Sequence, residues 1–323
     1  MIQKTIYIIL KIYKMKLLIT GCLGHIGSYL VSKIEKINGL KKIYLLDNNS
    51  NNKFIVLSNI RKSKKKTYFI FNDVSHKSFI SKTPKVDIVL HLASTTDAQN
   101  SVGNEKKYIS NNLGSFKNIL KYCLKNKAGL IHISSTSVYG DQSLEVDEKS
   151  KNLKPQSPYA EIKLKEEKML KMNSKKMRYI SLRFGTIAGF SQGMRFHTAV
   201  NKFCFNTIIN KPVPVWKTAM NQYRPYLALS DAFKTFKFIL ERKFLPNDIF
   251  NILTENKTVK EIINDINSCG YKPKIKLTNS KIMNQLSYKV SCVKIKKSGL
   301  NFDPKIKNEI RNTLKKFSAL KND

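Results

Sequence analysis

Tyr159 and Lys163 stand four residues apart in the stretch 158–163, Pro-Tyr-Ala-Glu-Ile-Lys. On a helix that spacing puts both side chains on one face. An ammonium so placed stabilises a phenolate and draws the phenol down from its ordinary value of about 10, which makes the tyrosine a general base. A Tyr-x-x-x-Lys spacing by itself recurs by chance, but here it has company. Ser134 and Ser135 precede it and offer a hydroxyl to a reacting oxygen, although Ser135 alone would read as ordinary strand-end hydrogen bonding. Residues 20–27, Thr-Gly-Cys-Leu-Gly-His-Ile-Gly, carry glycines at 21, 24 and 27. Small residues at that spacing let a backbone approach a pyrophosphate, and a helix N-terminus favours its charge. Together these residues imply a dinucleotide-dependent enzyme with a tyrosine base.

The elements that must position them are legible as alternating short apolar runs and helical periods. Strands are expected at residues 16–20, 42–47, 67–71, 86–92, 129–134 and 179–183, with helices over 26–37, over a span including 112–125, and around Tyr159. That alternation predicts an α/β chain, a Rossmann-type doubly wound parallel sheet, with a smaller C-terminal substrate-binding α/β domain. The expected division is 15–185 for the dinucleotide half and 186–323 for the substrate half, with residues 226–253 returning to the first. Beyond residue 186 the pattern breaks up, but 228–240 reads as a helix, 248–253 as a strand, 258–263 as the start of a helix and 306–317 as an amphipathic one. Asp47 ends the second strand, 20 residues after Gly27. A carboxylate there accepts hydrogen bonds from ribose hydroxyls and repels a 2′-phosphate, so NAD is expected rather than NADP.

Composition narrows the alternatives. The net charge of +37 raises the possibility of nucleic-acid binding, yet of the 59 basic residues only seven are arginine, and the lysines are spread throughout the 323-residue chain. Nucleic-acid sites favour arginine for bidentate and stacking contacts, so a solvated lysine-rich surface is the better reading and no specific nucleic acid is expected. The one dense basic run, residues 61–66, falls where a loop is expected. Five scattered cysteines without paired spacing argue against a disulfide framework or a zinc site and fit a reducing cytoplasm. The apolar run 5–10 is too short to span a bilayer. Translation is expected to start at Met15, with residues 1–14 an extension.

With these motifs assembled, the chain resembles the extended short-chain dehydrogenase/reductases, within them the NAD-dependent nucleotide-sugar epimerase/dehydratase family and its UDP-glucose/galactose 4-epimerase-like members, over residues 15 to about 317. The carriers are the glycine loop with His25 and Ile26, then Asp47 and Asn48, which resemble the family's adenosine-ribose pair. Asp73 and Val74 resemble its adenine-holding pair. His91-Leu92-Ala93-Ser94 resembles its cofactor-lining stretch, Asn111 its Asn ahead of a Gly-Thr pair, and Ser134 to Gly140 with Tyr159 and Lys163 its catalytic signature.

The resemblance implies that Tyr159 takes a proton from a sugar hydroxyl, that Ser135 hydrogen-bonds the oxygen, and that Lys163 holds the nicotinamide ribose and lowers the tyrosine. It implies a nucleotide-sugar substrate, bound NAD and a homodimer. Arg224, ahead of Tyr226 and Asp231, resembles the family's arginine for the substrate diphosphate. Thr186 stands where 4-epimerases usually have an Asn at the nucleotide diphosphate, and Thr96 where galactose epimerases have a cofactor-contacting Lys. Arg195 and His197, on an expected substrate loop, are further candidates for contacting the sugar. The 4,6-dehydratases carry Asp-Glu after the catalytic hydroxyl; Thr136 and Ser137 stand there. Epimerisation at carbon 4 of a UDP-sugar is therefore expected, the alternatives being a reductase or decarboxylase of a related nucleotide sugar. A non-catalytic RNA- or partner-binding relative is a different class, against which the intact Ser135, Tyr159 and Lys163 speak.

Overall fold

The computed structural model describes residues 15–58, 65–196, 198–279, 287–303 and 305–320. The extension 1–14, the basic residues 61–64 and the candidate His197 lie outside them. Twelve strands are present among the described residues, seven of them in one parallel sheet. Its strands are β1 (Met15–Thr20), β2 (Leu40–Asp47), β3 (Lys66–Phe71), β4 (Ile88–His91), β5 (Gly129–Ser135), β6 (Tyr179–Phe184) and β10 (Asp248–Ile252). They lie in the order β10-β6-β5-β4-β1-β2-β3. The order reverses between β1 and β4, and the crevice beyond the carboxyl ends of those two strands is where such sheets bind ligands.

Both faces of the sheet are covered, which is why the central strands read as unbroken apolar runs. Leu17 and Ile19 of β1 point to one side, into a core shared with helix α1 (His25–Ser32) and with Phe233, Phe236 and Ile239. Leu18 points to the other side, against Phe116, Ile119 and Leu120 of helix α2 (Gly114–Asn126) and Leu170 of helix α3 (Pro158–Met172). The period-two alternation of strand side chains makes this division.

The helix expected over 26–37 is shorter than the apolar spacing suggests. The α-helical stretch ends at Ser32, and a 3₁₀ turn, Ile34–Lys36, follows. Ile34 and Ile37 are nevertheless buried, so the tighter turn satisfies the same apolar pattern. The span around residue 112 also differs: a π-turn, Ile109–Leu113, precedes α2 and redirects Asn111 and Asn112 towards the loop after β4.

A second apolar cluster gathers the remaining elements. Helices α4 (Ala199–Ile208), α6 (Val259–Asn267) and α7 (Ile306–Phe317) pack around Val213 and Val215 of β8 (Val213–Trp216). Helix α5 (Leu229–Arg242) belongs instead to the sheet core, through Phe233 and Phe236. A three-stranded sheet, β7 (Thr186–Ala188), β9 (Tyr223–Ala228) and β11 (Glu255–Thr258), lies between, with β9 parallel to β7 and antiparallel to β11. Strand β12 (Ile275–Thr278) pairs with β8. Among the described residues no helix is long and apolar enough to cross a membrane.

Helix α6 begins with a reciprocal cap. The Thr258 hydroxyl accepts from the Glu261 N–H at 3.2 Å, while the Glu261 carboxylate accepts from the Thr258 N–H at 2.7 Å. Replacing Thr258 with Ala removes one half of that exchange. The urea midpoint should fall by the equivalent of about 1 kcal/mol, with the slope unchanged; an unaltered midpoint would show that the cap contributes nothing.

Candidate active site

A cavity of about 620 Å³ opens over the carboxyl ends of β1, β4 and β5 and reaches across to β7, β8 and β9. Its floor is the glycine loop. Gly21 has φ of +71°, and a Cβ there would stand 2.6 Å from the Ala93 nitrogen, so no larger residue fits. A Cβ on Gly27 would come within 2.4 Å of the Gly21 oxygen, so Gly27 sets how closely α1 packs beneath the loop. Gly24 is the N-cap of α1 and supplies no side-chain hydrogen bond, which leaves the first-turn N–H groups of the helix for a ligand. His25, Ile26 and Leu92 complete this part of the wall. The loop is therefore a cradle of the size and polarity that a dinucleotide diphosphate requires.

The carboxylates expected at the cofactor are close by but outside the cavity wall. Asp47 accepts from the Leu23 N–H at 3.0 Å and from the Asn49 N–H at 2.8 Å, which ties the end of β2 to the glycine loop. Asp73 accepts from the Asn48 amide at 2.8 Å and the Ser75 N–H at 2.7 Å. Burial alone would raise Asp73, but these hydrogen bonds outweigh it and hold the carboxyl below its ordinary value. Val74 is buried in the core. Asn111 donates to the Thr95 hydroxyl at 2.9 Å, and Asn112 brackets the Thr95 backbone, so the stretch holding Ala93, Ser94 and Thr96 is fixed from the π-turn ahead of α2.

Tyr159 and Ser135 both face the cavity. Helix α3 starts just before Tyr159 for local reasons: Ser157 accepts from the Ala160 N–H at 3.2 Å and Pro158 occupies the first turn. Ser135 caps the next turn, accepting from the Ser137 N–H at 3.2 Å and the Ser137 hydroxyl at 2.9 Å. Lys163 lies under the tyrosine, its Nζ 5.7 Å from the ring centre, but it is buried and does not reach the cavity wall.

Lys163 acts on Tyr159 in the expected downward direction but is outweighed. Burial raises the phenol, Lys163 lowers it by less, and the nearby Glu166 raises it again, so the net displacement is upward; a hydrogen bond with Ser135 works in the lowering direction. Part of the cause is that the ammonium is already engaged. Lys163 donates to the Glu166 carboxylate at 2.8 Å.

That carboxylate belongs to a network the sequence reading missed. Glu166 also accepts at 2.8 Å from His132 Nε2, whose Nδ1 lies 2.9 Å from the Ser181 hydroxyl. Burial pushes His132 down, so the ring is neutral, donating from Nε2 and accepting at Nδ1. The neighbouring Glu167 accepts from Ser134 at 2.6 Å and from Arg183 at 2.9 and 2.7 Å. Arg183 in turn lies over the Tyr139 ring at 4.9 Å. Glu166 and Glu167 stand three and four residues after Lys163, a spacing that does point to the same helix face, but their partners on β5 and β6 cannot be read locally.

The opposite wall brings together Thr186 on β7, Trp216 on β8 and Arg224 on β9 with Thr198, Lys202, Tyr226 and Tyr288, and of these Thr198, Lys202 and Tyr288 were not expected. Tyr288 arrives because its N–H donates to the Tyr223 oxygen at 3.1 Å, holding the 287–291 segment along the edge of β9. Its hydroxyl is 3.4 Å from that of Thr136, which donates to the Phe184 oxygen at 3.3 Å. Arg195 also lines the cavity, on the side of the glycine loop, where it donates to the Thr96 hydroxyl at 2.8 Å.

Comparison with known proteins shows the family and the fold. The NAD dependent epimerase/dehydratase family matches residues 17–252. The chain is similar to the uncharacterized UDP-glucose epimerase YtcB of Bacillus subtilis, 26% identical over 318 residues that cover 95% of this chain and 99% of that one. It also matches a trifunctional UDP-glucose 4,6-dehydratase/UDP-4-keto-6-deoxy-D-glucose 3,5-epimerase/UDP-4-keto-L-rhamnose-reductase of Arabidopsis thaliana, at 26% identity over 307 residues. That match spans 89% of this chain but only 45% of the plant protein. Among solved structures, UDP-glucuronic acid 4-epimerase from Bacillus cereus, in complex with UDP-glucuronic acid and NAD, superimposes with a TM-score of 0.84 at 22% identity. The match covers 95% of this chain and all of that one, and it shows the shared fold.

The buried network makes a pH prediction. Burial would raise Glu166, but Lys163 and His132 outweigh it and hold the carboxyl at about 2, against an ordinary 4.5. A carboxyl depressed on folding adds stability above its unfolded value and loses it as pH falls towards the folded one. Glu166→Gln should therefore cost about 3 kcal/mol at neutral pH, because Lys163 is left buried without its counter-charge. The difference from the unaltered protein should shrink below about pH 4.5. Denaturant titrations at several pH values measure it, and a gap independent of pH would contradict the assignment.

Proposed function

The chain belongs to the NAD-dependent epimerase/dehydratase family, and from that premise we propose that it is an epimerase acting at carbon 4 of a UDP-sugar, by transient oxidation to the keto sugar and hydride return. One observation carries the choice of epimerisation. Tyr159 and Ser135 face the cavity together, and the position after Ser135, where a dehydratase would need a carboxylate, holds a buried threonine committed to Phe184 and Tyr288. Asp97 is the one carboxylate among the described residues of the cavity wall, and it caps a short turn by accepting from the Asn100 N–H at 3.0 Å and its amide at 2.8 Å.

In this reading Tyr159 accepts the proton of the sugar hydroxyl, and Ser135 donates a hydrogen bond to the same oxygen as it becomes a carbonyl. Bound NAD supplies a hydride acceptor that can give the hydride back, and its positive ring favours the phenolate. Lys163, held between Tyr159 and Glu166, keeps a positive charge beneath the phenol in either protonation state. Arg224 and Lys202 give the opposite wall the charge that a nucleotide diphosphate needs. Residues 15–185 together with 226–253 hold the dinucleotide, and the rest of 186–323 holds the sugar nucleotide. Tyr288, whose hydroxyl lies beside that of Thr136, lines the substrate side of the cavity.

UDP-, GDP-, dTDP- and ADP-sugars incubated with the purified protein, with products separated by chromatography, test this directly. A UDP-sugar should convert to its carbon-4 epimer without added NADH and without a lasting change in nicotinamide absorbance. Tyr159→Phe should lower turnover by about 10²- to 10⁴-fold and leave nucleotide-sugar affinity nearly intact. Stoichiometric NADH, or release of carbon dioxide, would overturn the epimerase reading in favour of a dehydrogenase or decarboxylase.

A further inference from the structure

Residues 189–195 come from the far half of the chain yet are fastened to the glycine loop and α1. His25 Nε2 lies 2.8 Å from the Gly189 oxygen, and the Ser191 hydroxyl donates to the His25 oxygen at 2.9 Å. The Gly193 N–H donates to the Ser28 hydroxyl at 2.9 Å, and Lys53 Nζ donates to the Gly193 and Met194 oxygens at 2.6 and 2.5 Å. The fit is close: a Cβ on Gly193 would stand 2.3 Å from the Leu23 oxygen and 2.4 Å from that of Gly24.

The consequence is where Arg195 ends up. Its Nη1 donates to Thr96 at 2.8 Å, and its Nη2 lies 3.8 Å from where a Gly24 Cβ would be, above the open N-terminus of α1. Among the described residues no carboxylate pairs with this guanidinium; Asp47 and Asp97 act on it only from a distance, and burial pushes it down. Lys53, also a cation without an acid among the described residues, is lowered by burial and then by the nearby Arg195. A largely enclosed guanidinium that lines the cavity with no carboxylate beside it among the described residues is matched there by an anion. Helix N–H groups and a guanidinium on two sides of one space suit the two phosphates of a diphosphate.

We propose that Arg195 clamps the diphosphate of the dinucleotide against the Gly24 end of α1, so that the second half of the chain takes part in holding the cofactor. The opposite wall keeps its own cations, Lys202 and Arg224, for the substrate. The clamp deepens the dinucleotide-site reading and does not depend on which sugar is turned over. Bidentate geometry makes arginine the suited residue, and lysine only a partial replacement.

The test measures equilibrium binding rather than turnover. Protein freed of carried-over nucleotide is titrated calorimetrically with NAD, ADP-ribose and UDP. Arg195→Met should weaken NAD and ADP-ribose by about 10- to 100-fold, the loss of a charged hydrogen-bonding partner, and leave UDP within about two-fold. Arg195→Lys should recover part of the loss, and the NAD carried through purification should fall in the same order. Weakened UDP with NAD unchanged would overturn the proposal and make Arg195 a substrate residue. Unchanged binding of both, or equal losses on both, would overturn it as well. Should Arg195→Met fail to fold, Thr96→Val decides, because it releases the guanidinium from its tether: a selective loss on ADP-ribose supports the clamp and unchanged binding refutes it. An inactive protein that still shows the selective loss would sink the epimerase reading and leave the clamp standing.

Discussion

Buried carboxylates must be met by donors or cations, and on helix α3 two adjacent ones dictate how the reactive residues are presented. Glu166 and Glu167 are both nearly inaccessible, and neither is satisfied by its own helix alone. Glu166 reaches His132 on β5, and Glu167 reaches Ser134 on β5 and Arg183 on β6. Because breaking one partner of such a pair leaves an uncompensated charge, the rotation of α3 against the sheet is fixed within narrow limits. Tyr159, two turns earlier on the same helix, then has only one direction in which to point, and it points at Ser135 and the cavity.

The electrostatics of the cavity follow from the same economy of charge. The surface is lysine-rich, but three of the seven arginines sit in particular places: Arg183 inside the network, Arg195 over the glycine loop and Arg224 on the opposite wall of the cavity. A planar fork that keeps its charge on burial suits all three positions better than lysine does. The high positive charge is thus a property of the solvated surface, while the cavity wall itself holds Arg195, Lys202 and Arg224, and the buried network beside it Lys163 and Arg183. Lys163 acts through a balance, since burial and Glu166 oppose its pull on Tyr159.

What the sequence made legible is what local constraint controls. The strand ending at Thr20, the glycines that follow and Asp47 at the end of β2 lie in one short segment whose spacing is set by helix and strand geometry, and the structure assembles them as expected. Tyr159 and Ser135 meet for the same reason, each at the capped end of a recognisable element. Helix α1 is shorter than its apolar period because a 3₁₀ turn buries the same residues. Beyond Thr186 legibility drops. Tyr288 reaches Thr136 across 152 positions, and the 189–195 loop is held to α1 by hydrogen bonds spanning about the same distance in sequence. Its place on that loop makes Arg195 a candidate for contacting the sugar; the fastening of the loop to α1, which sets it beside Gly24, is not legible in the sequence.

The claim that the same hydride leaves and returns to one carbon is tested most directly with a UDP-sugar carrying deuterium at carbon 4. Retained label in the epimeric product, followed by mass spectrometry and proton resonance in ordinary water, is the predicted result, because Tyr159 exchanges only the hydroxyl proton while the carbon-bound hydrogen never meets solvent. Product in which the carbon-4 deuterium has been replaced by solvent hydrogen would contradict the account, since it would show that the hydrogen leaves carbon as an exchangeable proton and not as a hydride.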